Sequence, residues 1–361
     1  MHKKIINFCQ ITGHTGDMIG QYVDGYLKSW GLSNILSITV DNVMANTAMM
    51  RYLKTRMRSW DNHVLNGDFM HMRCCTHVLN LIVKSSMKND KGYIPKVRDA
   101  VKYVKSSPSR LAYFMVYAAD EKVSYKGVVV LDVETRWNST YLMLKVAVEY
   151  KKAFDLLYIR YHLFRHEMLL KSVDGLQEKD WAYVISVLPL LELYYKSTTR
   201  LSGSLYVTSA SYMKEVFYIW KGINKHLESG DVNIRETAKK MKTKFDNYWG
   251  DPNKMNILLL IAFVLDPRMK KVVAEFYISL LYGKKGDDLK KRLDSFLKKL
   301  YAQYSGSDDS SQSSQPLTPL NDDDDDILCH YNKKSGHKDD PKTKTEIESY
   351  FQEDRIPHNP S

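Results

Sequence analysis

The spacing of apolar and polar residues divides the first third of the chain into short strands and amphipathic helices. β-branched residues run up to Val40 and Asp41 follows directly, which indicates a buried strand over residues 35–40 that ends in a carboxylate. A second short strand near His71 runs into a helix, because apolar residues recur at helical spacing after His77. The same spacing predicts helices over residues 17–30, 46–60, 75–87, 95–104 and 108–120.

Strands alternating with helices in this way favour an α/β fold. Ile5, Ile6 and Phe8 resemble a further strand at the start of the chain. Residues 127–133 contain four valines and a leucine beside Asp132, and they are readable as a strand or as a buried extended segment. The segment 135–140 then leads into another helix.

The second half of the chain has a different pattern. Residues 150–245 carry helical apolar stripes throughout, which predicts an all-helical insertion. A continuous apolar run over residues 254–265 is closed by Asp266-Pro267-Arg268, and helices are expected over 269–282 and 289–304.

From Ser305 onward, Ser, Gln, Asp and Pro dominate, and five aspartates follow one another from Asp322 to Asp326. Such a composition buries too little apolar surface to order itself, so an acidic disordered tail is expected. Only residues 346–351 resemble a short helix or strand. The predicted organisation is a first core part, a helical insertion, a return to the core and a disordered acidic linker, at residues 1–149, 150–245, 246–304 and 305–361.

Charge is distributed unevenly along the chain. Residues 305–361 hold thirteen acidic and six basic residues, which leaves 47 basic and 29 acidic residues, a net charge of +18, in residues 1–304. A basic folded part favours a polyanionic partner, most simply nucleic acid, and the alternative is a basic surface that serves only solubility.

Cysteine content and hydropathy exclude two classes of protein. The four cysteines include no C-x-x-C pair, so neither a disulfide framework nor a zinc finger is expected. The longest apolar run, residues 257–265, is too short to span a bilayer, and we expect no membrane partner.

Five segments carry a resemblance to a known family. They are residues 4–9 (KIINFC), 39–42 (TVDN), 71–83 (HMRCCTHVLNLIV), 131–141 (LDVETRWNSTY) and 264–268 (VLDPR). In this order and spacing the chain resembles transposases of the hAT superfamily, in the plant Activator group, and the RICESLEEPER-like proteins with a zinc finger BED domain. The resemblance implies an α/β, RNase H-like core that is interrupted by a large all-helical insertion.

The family uses two Asp and one Glu to bind divalent metal for strand cleavage and transfer, a chemistry that needs two ions about 4 Å apart. By resemblance Asp41 is the second Asp of this set, a remnant catalytic and metal-binding residue. The first Asp, the Glu, the BED finger and the dimerisation segment would lie beyond the chain's two ends. We therefore expect a truncated or domesticated core that is not an enzyme and needs no cofactor, with Mg²⁺ bound only if the site were completed. A homodimer is expected only of full-length relatives.

Each candidate residue has an alternative reading. Asp41 is either a former metal ligand or a strand-end residue that caps the next helix through Asn42 or Asn46. Cys74 and His77 have C-x-x-H spacing next to the family's catalytic pocket, but two ligands alone do not make a structural zinc site.

For DNA contact the resemblance points to Arg136 and Trp137, since the family's matching Trp stacks on the DNA end. Stacking of a base on an aromatic ring is worth about 1–3 kcal/mol. The alternative is an ordinary buried Trp. Lys240, Lys244 and Lys291 lie on basic helical faces that could contact the DNA backbone or simply be solvated.

The function we predict is DNA binding in the nucleus by a hAT transposase-derived protein that no longer transposes. Two other classes stay open, namely an active metal-dependent transposase or nuclease, and a protein-interaction scaffold or pseudogene product. The former would require further pocket carboxylates, for which the sequence offers Asp132 and Asp266.

Overall fold

A computed structural model describes residues 7–32, 35–57, 67–88, 92–172, 175–203, 206–305 and 345–356. Within these ranges the chain is mostly helical. The strands are β1 (Ile38–Val40) and β2 (His71–Arg73). The helices are α1 (Gly16–Ser29), α2 (Met44–Met57), α3 (Cys75–Met87), α4 (Tyr93–Lys105), α5 (Pro108–Asp120), α6 (Trp137–Glu149), α7 (Lys151–Arg160), α8 (His162–Lys171), α9 (Glu178–Leu201), α10 (Tyr212–Leu227), α11 (Val232–Trp249), α12 (Ile257–Val264), α13 (Lys270–Tyr282), α14 (Asp287–Ser305) and α15 (Glu346–Gln352).

The chain divides into two compact units. Unit 1 comprises Met1–Cys74, Leu201–Phe217 and Asp251–Ser361, and unit 2 comprises Cys75–Arg200 and Tyr218–Gly250. The helical unit 2 thus begins at Cys75, whereas the predicted insertion begins at residue 150. The predicted domain boundaries stay predictions.

In unit 1 the two strands pair in parallel, with Ile38 opposite His71 and Val40 opposite Arg73. Ile38 and Val40 pack against a core cluster of α1, α2 and the residue before β2, formed by Leu27, Met49, Met50, Leu53 and Met70. Thr39 points to the other face and is exposed. The strand is therefore half-buried over three residues, which corrects the prediction of a buried strand over 35–40. Alternate side chains of a strand face opposite sides, and the core covers only one of them.

The predicted α/β class is only partly visible. Among the described residues the sheet has two strands, and helices make up most of the remainder. The predicted strand at Ile5 and Ile6 lies outside the described residues, and Phe8 is exposed and not in a strand.

Unit 2 is built on aromatic and aliphatic packing between its helices. Phe154 on α7 lies with its ring centroid 4.6 Å from that of Phe114 on α5 and 5.7 Å from that of Trp181 on α9. All three rings are fully buried. Apolar positions at helical spacing thus form the core of this unit, as the pattern over residues 150–245 predicts.

The interpretation of residues 127–133 as a strand or a buried segment is wrong for most of its length. The segment is in neither strand nor helix, and Val128, Leu131 and Val133 are 48%, 41% and 51% exposed. Among the apolar residues of the segment, only Val129 is buried. β-branched residues favour extended backbone, but extended backbone becomes a strand only where a neighbouring strand supplies hydrogen bonds.

In the predicted acidic tail, the short helix or strand expected at residues 346–351 is a helix. Residues 306–344, which include the aspartate run, lie outside the described residues, but residues 345–356 are described and contain α15. Thr345 caps this helix and forms a reciprocal capping box with Glu348. A local helix signal is therefore present inside a segment whose overall composition predicts disorder.

Candidate functional site

Asp41 lies directly after β1, where the strand pair ends. Its Oδ1 accepts hydrogen bonds from the backbone N–H of Val43 at 3.0 Å and from Nδ2 of Asn46 at 2.6 Å. The bond from Asn46 links Asp41 to the first turn of α2, as the alternative reading predicts, but neither bond caps a backbone N–H of the helix itself. The former-ligand role stays a prediction.

Asn42 stands next to Asp41 with its side-chain amide buried. Neither Oδ1 nor Nδ2 of Asn42 has a hydrogen-bond partner among the described residues. A buried amide without hydrogen-bond partners lowers the stability of the fold. A polar group that bonded to Asn42 at this strand end would remove that penalty.

The described side chains at this strand end do not complete a divalent-metal site. Asp41 supplies a carboxylate and Asn42 an amide oxygen, both of which suit Mg²⁺. However, the described ranges contain no group of three or more His, Cys, Asp or Glu side chains that could hold a metal ion.

β2 ends at the same edge as β1, because the strands are parallel. The backbone N–H of Cys74 donates to the carbonyl of Val40 at 2.8 Å, so Cys74 and Asp41 both lie at the carboxyl end of the pair. Burial, with the charge of Arg73, lowers the pKa of His71. Cys74 belongs to unit 1, whereas His77 lies on the first turn of α3 in unit 2. The pocket-adjacent role of these two residues stays a prediction.

In unit 2, the buried side chain of Asp132 holds the segment before α6 through hydrogen bonds. The carboxylate of Asp132 has no exposed area, and it accepts three hydrogen bonds of 2.8–3.1 Å from the guanidinium of Arg98 on α4. The hydroxyl of Thr140 on α6 donates a further bond at 2.6 Å. Burial alone would raise the pKa of Asp132, but these hydrogen bonds and the charge of Arg98 outweigh it and lower the pKa. Asp132 is thus fully engaged in structure.

Arg136 and Trp137, which follow this segment, differ in solvent exposure. Arg136 is the residue before α6 and is exposed. Trp137 is the first residue of α6 and only 5% exposed. The burial fits the alternative of an ordinary core tryptophan, because so small an exposed fraction offers no ring face to a base. Base stacking by Trp137 stays a prediction that requires the ring to become uncovered.

The predicted basic faces differ in how their lysines are paired. On α14, Lys291 lies 3.7 Å from Asp288 and Lys290 lies 3.0 Å from Asp287, in each case between the Nζ and Oδ1 atoms. Acidic residues of the helix itself therefore partly neutralise this face.

On α11, Lys240 and Lys244 are one turn apart and exposed. Neither makes an ion pair within the part of the chain that the structure describes. The acidic residue Asp246 is paired instead with Lys242, at 2.6 Å between Nζ and Oδ2. The charges of Lys240 and Lys244 are therefore available to an external anion.

Comparison with known families accounts for most of the chain. Residues 1–69 match the ZBED1 RNase-like domain, residues 72–188 the ZBED1 RNase-like helical domain, and residues 210–304 the hAT-like transposase domain with an RNase-H fold. The chain therefore carries domains similar to those of hAT-like transposases over most of its length. From Cys75 onward, the helical match at residues 72–188 lies within unit 2.

Plant proteins are among its relatives. The chain is 31% identical over 91% of its length to the Zea mays protein named "Putative AC transposase", 28% identical over 84% to the zinc finger BED domain-containing protein RICESLEEPER 2 of Oryza sativa subsp. japonica, and 23% identical over 84% to the protein DAYSLEEPER of Arabidopsis thaliana. These matches cover 40%, 41% and 42% of the relatives. The chain thus spans about two fifths of the length of the curated relatives that it matches.

Within this hAT-like chain the candidate residues fall into two groups. Asp41, Cys74 and Lys291 belong to unit 1, and the other predicted site residues belong to unit 2. In unit 2, α3 packs against both α6, which starts at Trp137, and α11, which carries Lys240. In the described ranges no helix is long and apolar enough to cross a membrane.

Sequence reasoning missed Lys84. Its ammonium donates to the carbonyl of Thr135 at 2.6 Å, which places it beside Arg136. Lys84 and Thr135 are 51 residues apart in sequence, and no local pattern connects them. The fold therefore puts a second basic residue next to the one that the family motif suggests.

Proposed function

We propose that this chain is a hAT transposase-derived protein that binds DNA through exposed basic side chains of unit 2. Two relatives are named as a transposase and as a zinc finger BED domain-containing protein, and the similarity to them makes DNA the polyanion to consider first. The observation that carries the proposal is the exposed pair Lys240 and Lys244 on α11, whose charges no acidic side chain of the described residues neutralises.

Residues four apart lie on the same face of a helix, about 5–6 Å between Cβ atoms, so Lys240 and Lys244 present two charges side by side. Lysine is a compact point charge that contacts phosphate without reading sequence. The net charge of +18 in residues 1–304 supplies a long-range attraction. This part of the binding is therefore sequence-independent and sensitive to salt.

Arg136 and Lys84 form the second basic contact in the proposal. Lys84 is anchored on the carbonyl of Thr135, and Arg136 follows that carbonyl in an exposed position. The bonds from Arg98 to Asp132 hold the start of the segment, so the arginine is presented from a fixed backbone. The planar guanidinium fork is itself preorganised, so less conformational entropy is lost for each hydrogen bond that it forms to a phosphate.

The experiment is a DNA-binding titration of the full chain at several salt concentrations. The variant Lys240→Gln/Lys244→Gln removes the two unpaired charges, and Lys290→Gln/Lys291→Gln removes two charges that have acidic partners. We expect the slope of log K against log salt to fall by about 2 in the α11 variant and by less than about 1 in the α14 control.

Equal slopes in the two variants would contradict the role of α11, since they would mean that only the total charge matters. Absence of binding at low salt would overturn DNA binding altogether and favour a protein-interaction scaffold or a pseudogene product. Substituting Arg136→Gln gives a separate readout, for which we expect weaker binding with an unchanged circular dichroism spectrum.

We also propose that the chain binds DNA without cleaving it and without transposing. The support is the strand end at Asp41, where the described residues bring one carboxylate and not the set that two-metal chemistry uses. Incubation of supercoiled DNA with the chain and Mg²⁺ should leave it intact. Nicking that depends on Mg²⁺ and is lost in Asp41→Asn would establish the alternative, an active metal-dependent nuclease.

The setting that we propose is the nucleus, as for a domesticated hAT protein that acts on chromosomal DNA. A fluorescent fusion of the full chain in plant cells would test this location. Exclusion of the fusion from the nucleus would contradict it.

A further inference from the structure

The VLDPR motif, residues 264–268, has no role in DNA binding as proposed above, and its structure is unusual. Asp266 is 7% exposed and accepts bonds from the Arg268 guanidinium at 2.9 and 2.6 Å and from the Arg268 backbone N–H at 3.0 Å. Its carbonyl accepts the backbone N–H of Lys270 at 3.0 Å. Lys270 then adopts a φ of +56°, a conformation that costs energy in a residue with a Cβ.

This backbone places the side chain of Lys270 in a buried position, 2% exposed. The Nζ donates to the carbonyl of Tyr350 at 2.9 Å and to that of Glu353 at 2.8 Å, and it lies 3.4 Å from a carboxylate oxygen of Glu353. It also lies 4.7 Å from the centre of the Tyr350 ring. A buried ammonium is stabilised only by such partners, so all of them are needed.

The two carbonyl groups belong to the end of α15. The last carbonyls of a helix lack partners within the helix and carry a partial negative charge, and a cation at this end stabilises both. Lys270 therefore binds free backbone carbonyls, which every helix end has. The bond from the Tyr350 hydroxyl, by contrast, requires a tyrosine at that position of the bound helix.

Two further bonds extend the contact along the motif. The hydroxyl of Tyr350 donates to the carbonyl of Val264 at 3.0 Å, and the backbone N–H of Ile356 donates to the carbonyl of Pro267 at 3.2 Å. Burial, with the charges of Asp266 and Glu353, raises the pKa of Tyr350 to about 12, so the hydroxyl remains protonated and able to donate at neutral pH.

Apolar burial contributes little to this contact. No residue of the seven-residue helix α15 is fully buried, and so short a helix is unstable by itself. An apolar cavity of about 320 Å³ lies beside it, lined by side chains that include Leu265, Leu297, Tyr301 and Ile347. The packing against α14 is thus incomplete, and the polar bonds to residues 264–270 hold the segment in place.

We propose that residues 264–270 form a docking site for the carboxyl end of a short helix, and that residues 345–356 of this chain occupy it as a detachable latch. The site recognises two free helix-end carbonyls through Lys270, a tyrosine one turn from the helix end through Val264, and the extended residues after the helix through Pro267. We expect the latch to open without unfolding α12 or α13. The hydrogen bonds that hold residues 345–356 are separate from the hydrogen bonds within residues 264–270.

The test is hydrogen exchange by mass spectrometry on the full chain. The variant Lys270→Gly removes the ammonium, and glycine adopts a φ of +56° without strain, so the loop backbone is preserved. We expect exchange in residues 345–356 to become at least about tenfold faster, because charge-assisted hydrogen bonds are lost, with protection in α12 and α13 unchanged. Lys298→Ala, which removes a lysine paired with Asp294 on α14, is the matched control and should behave like the parent chain.

Two results would overturn the proposal. Parent-like protection of residues 345–356 in Lys270→Gly would mean that the lysine does not hold the segment. Loss of protection in α12 and α13 together with residues 345–356 would mean that the segment is an inseparable part of unit 1. Tyr350→Phe removes only the hydroxyl bond to Val264 and should accelerate exchange of the segment by a smaller factor, about threefold.

Discussion

Two motif loops, residues 131–140 in unit 2 and 264–268 in unit 1, each contain an aspartate bound by an arginine guanidinium. In the first loop, Asp132 binds Arg98, which is 34 residues away on another helix, and also Thr140. In the second, Asp266 binds Arg268, two residues further along the same loop. The two aspartates, which the sequence offers as spare pocket carboxylates, are thus both committed to arginines.

The difference lies in what each pair holds together. The bond from Arg98 to Asp132 joins α4 to the segment before α6, so it can form only when unit 2 is folded. The bond from Arg268 to Asp266 shapes a single turn and can form within the loop itself. We therefore expect the first pair to contribute much more to global stability, and the second to shape the site where residues 345–356 dock.

The largest effect is expected from Asp132→Asn. Breaking a buried ion pair by removing one partner typically costs about 3–5 kcal/mol, because the other charge stays buried. In this variant the remaining charge is that of Arg98, whose side chain is only 19% exposed. The free energy of unfolding of the full chain in urea, followed by circular dichroism, measures this. Glu134→Gln is the matched control, because Glu134 is 74% exposed at 3.9 Å from the same arginine, and it should change stability by less than about 0.5 kcal/mol. Similar losses in both variants would contradict the long-range role of Asp132.

A smaller effect is expected from Asp266→Asn. Asparagine keeps an oxygen that can accept the backbone N–H of Arg268, and only the charged bonds to the guanidinium are weakened. We expect a loss of about 1–2 kcal/mol in the same urea experiment. A loss as large as that of Asp132→Asn would show that the local pair also supports the whole of unit 1.

The smallest effect is expected in the pH dependence. The folded-state pKa of Asp132 is lowered, so its contribution to stability is fully present above the ordinary aspartate pKa of about 3.9 and is lost as the pH falls through the folded value. Asp132→Asn should therefore flatten the loss of stability below about pH 4, by at most about 1.4 kcal/mol per pH unit for one proton. Urea unfolding at pH 3 and pH 5 measures this, and an unchanged difference between the two would contradict it.

Several helices could be predicted from local signals alone. The predicted bounds of α3 and α5 agree with the structure, and α5 shows why. Ser107 accepts the backbone N–H of Arg110, and Pro108 occupies the first turn, where its missing N–H costs nothing. Residues a few positions apart determine such a helix start.

The candidate site was predictable only in part. The strand end at Asp41 follows from β-branched residues before a carboxylate, and the exposure of Lys240 and Lys244 follows from helical periodicity. The burial of Trp137 and the contact between Lys84 and Thr135 do not follow from either pattern. Both depend on which helices pack against α6, and a single sequence has no local signal for that.

The residue pattern along the chain was sufficient for most of the helices, for the approximate positions of the two short strands, for the basic character of residues 1–304 and for the family resemblance. Tertiary structure alone decided that Asp132 pairs with Arg98 and that residues 345–356 dock on Lys270. The physical reason is distance along the chain. Periodicity and capping act over a few residues, whereas the bond from Tyr350 to Val264 joins residues 86 positions apart and exists only once the intervening chain has folded.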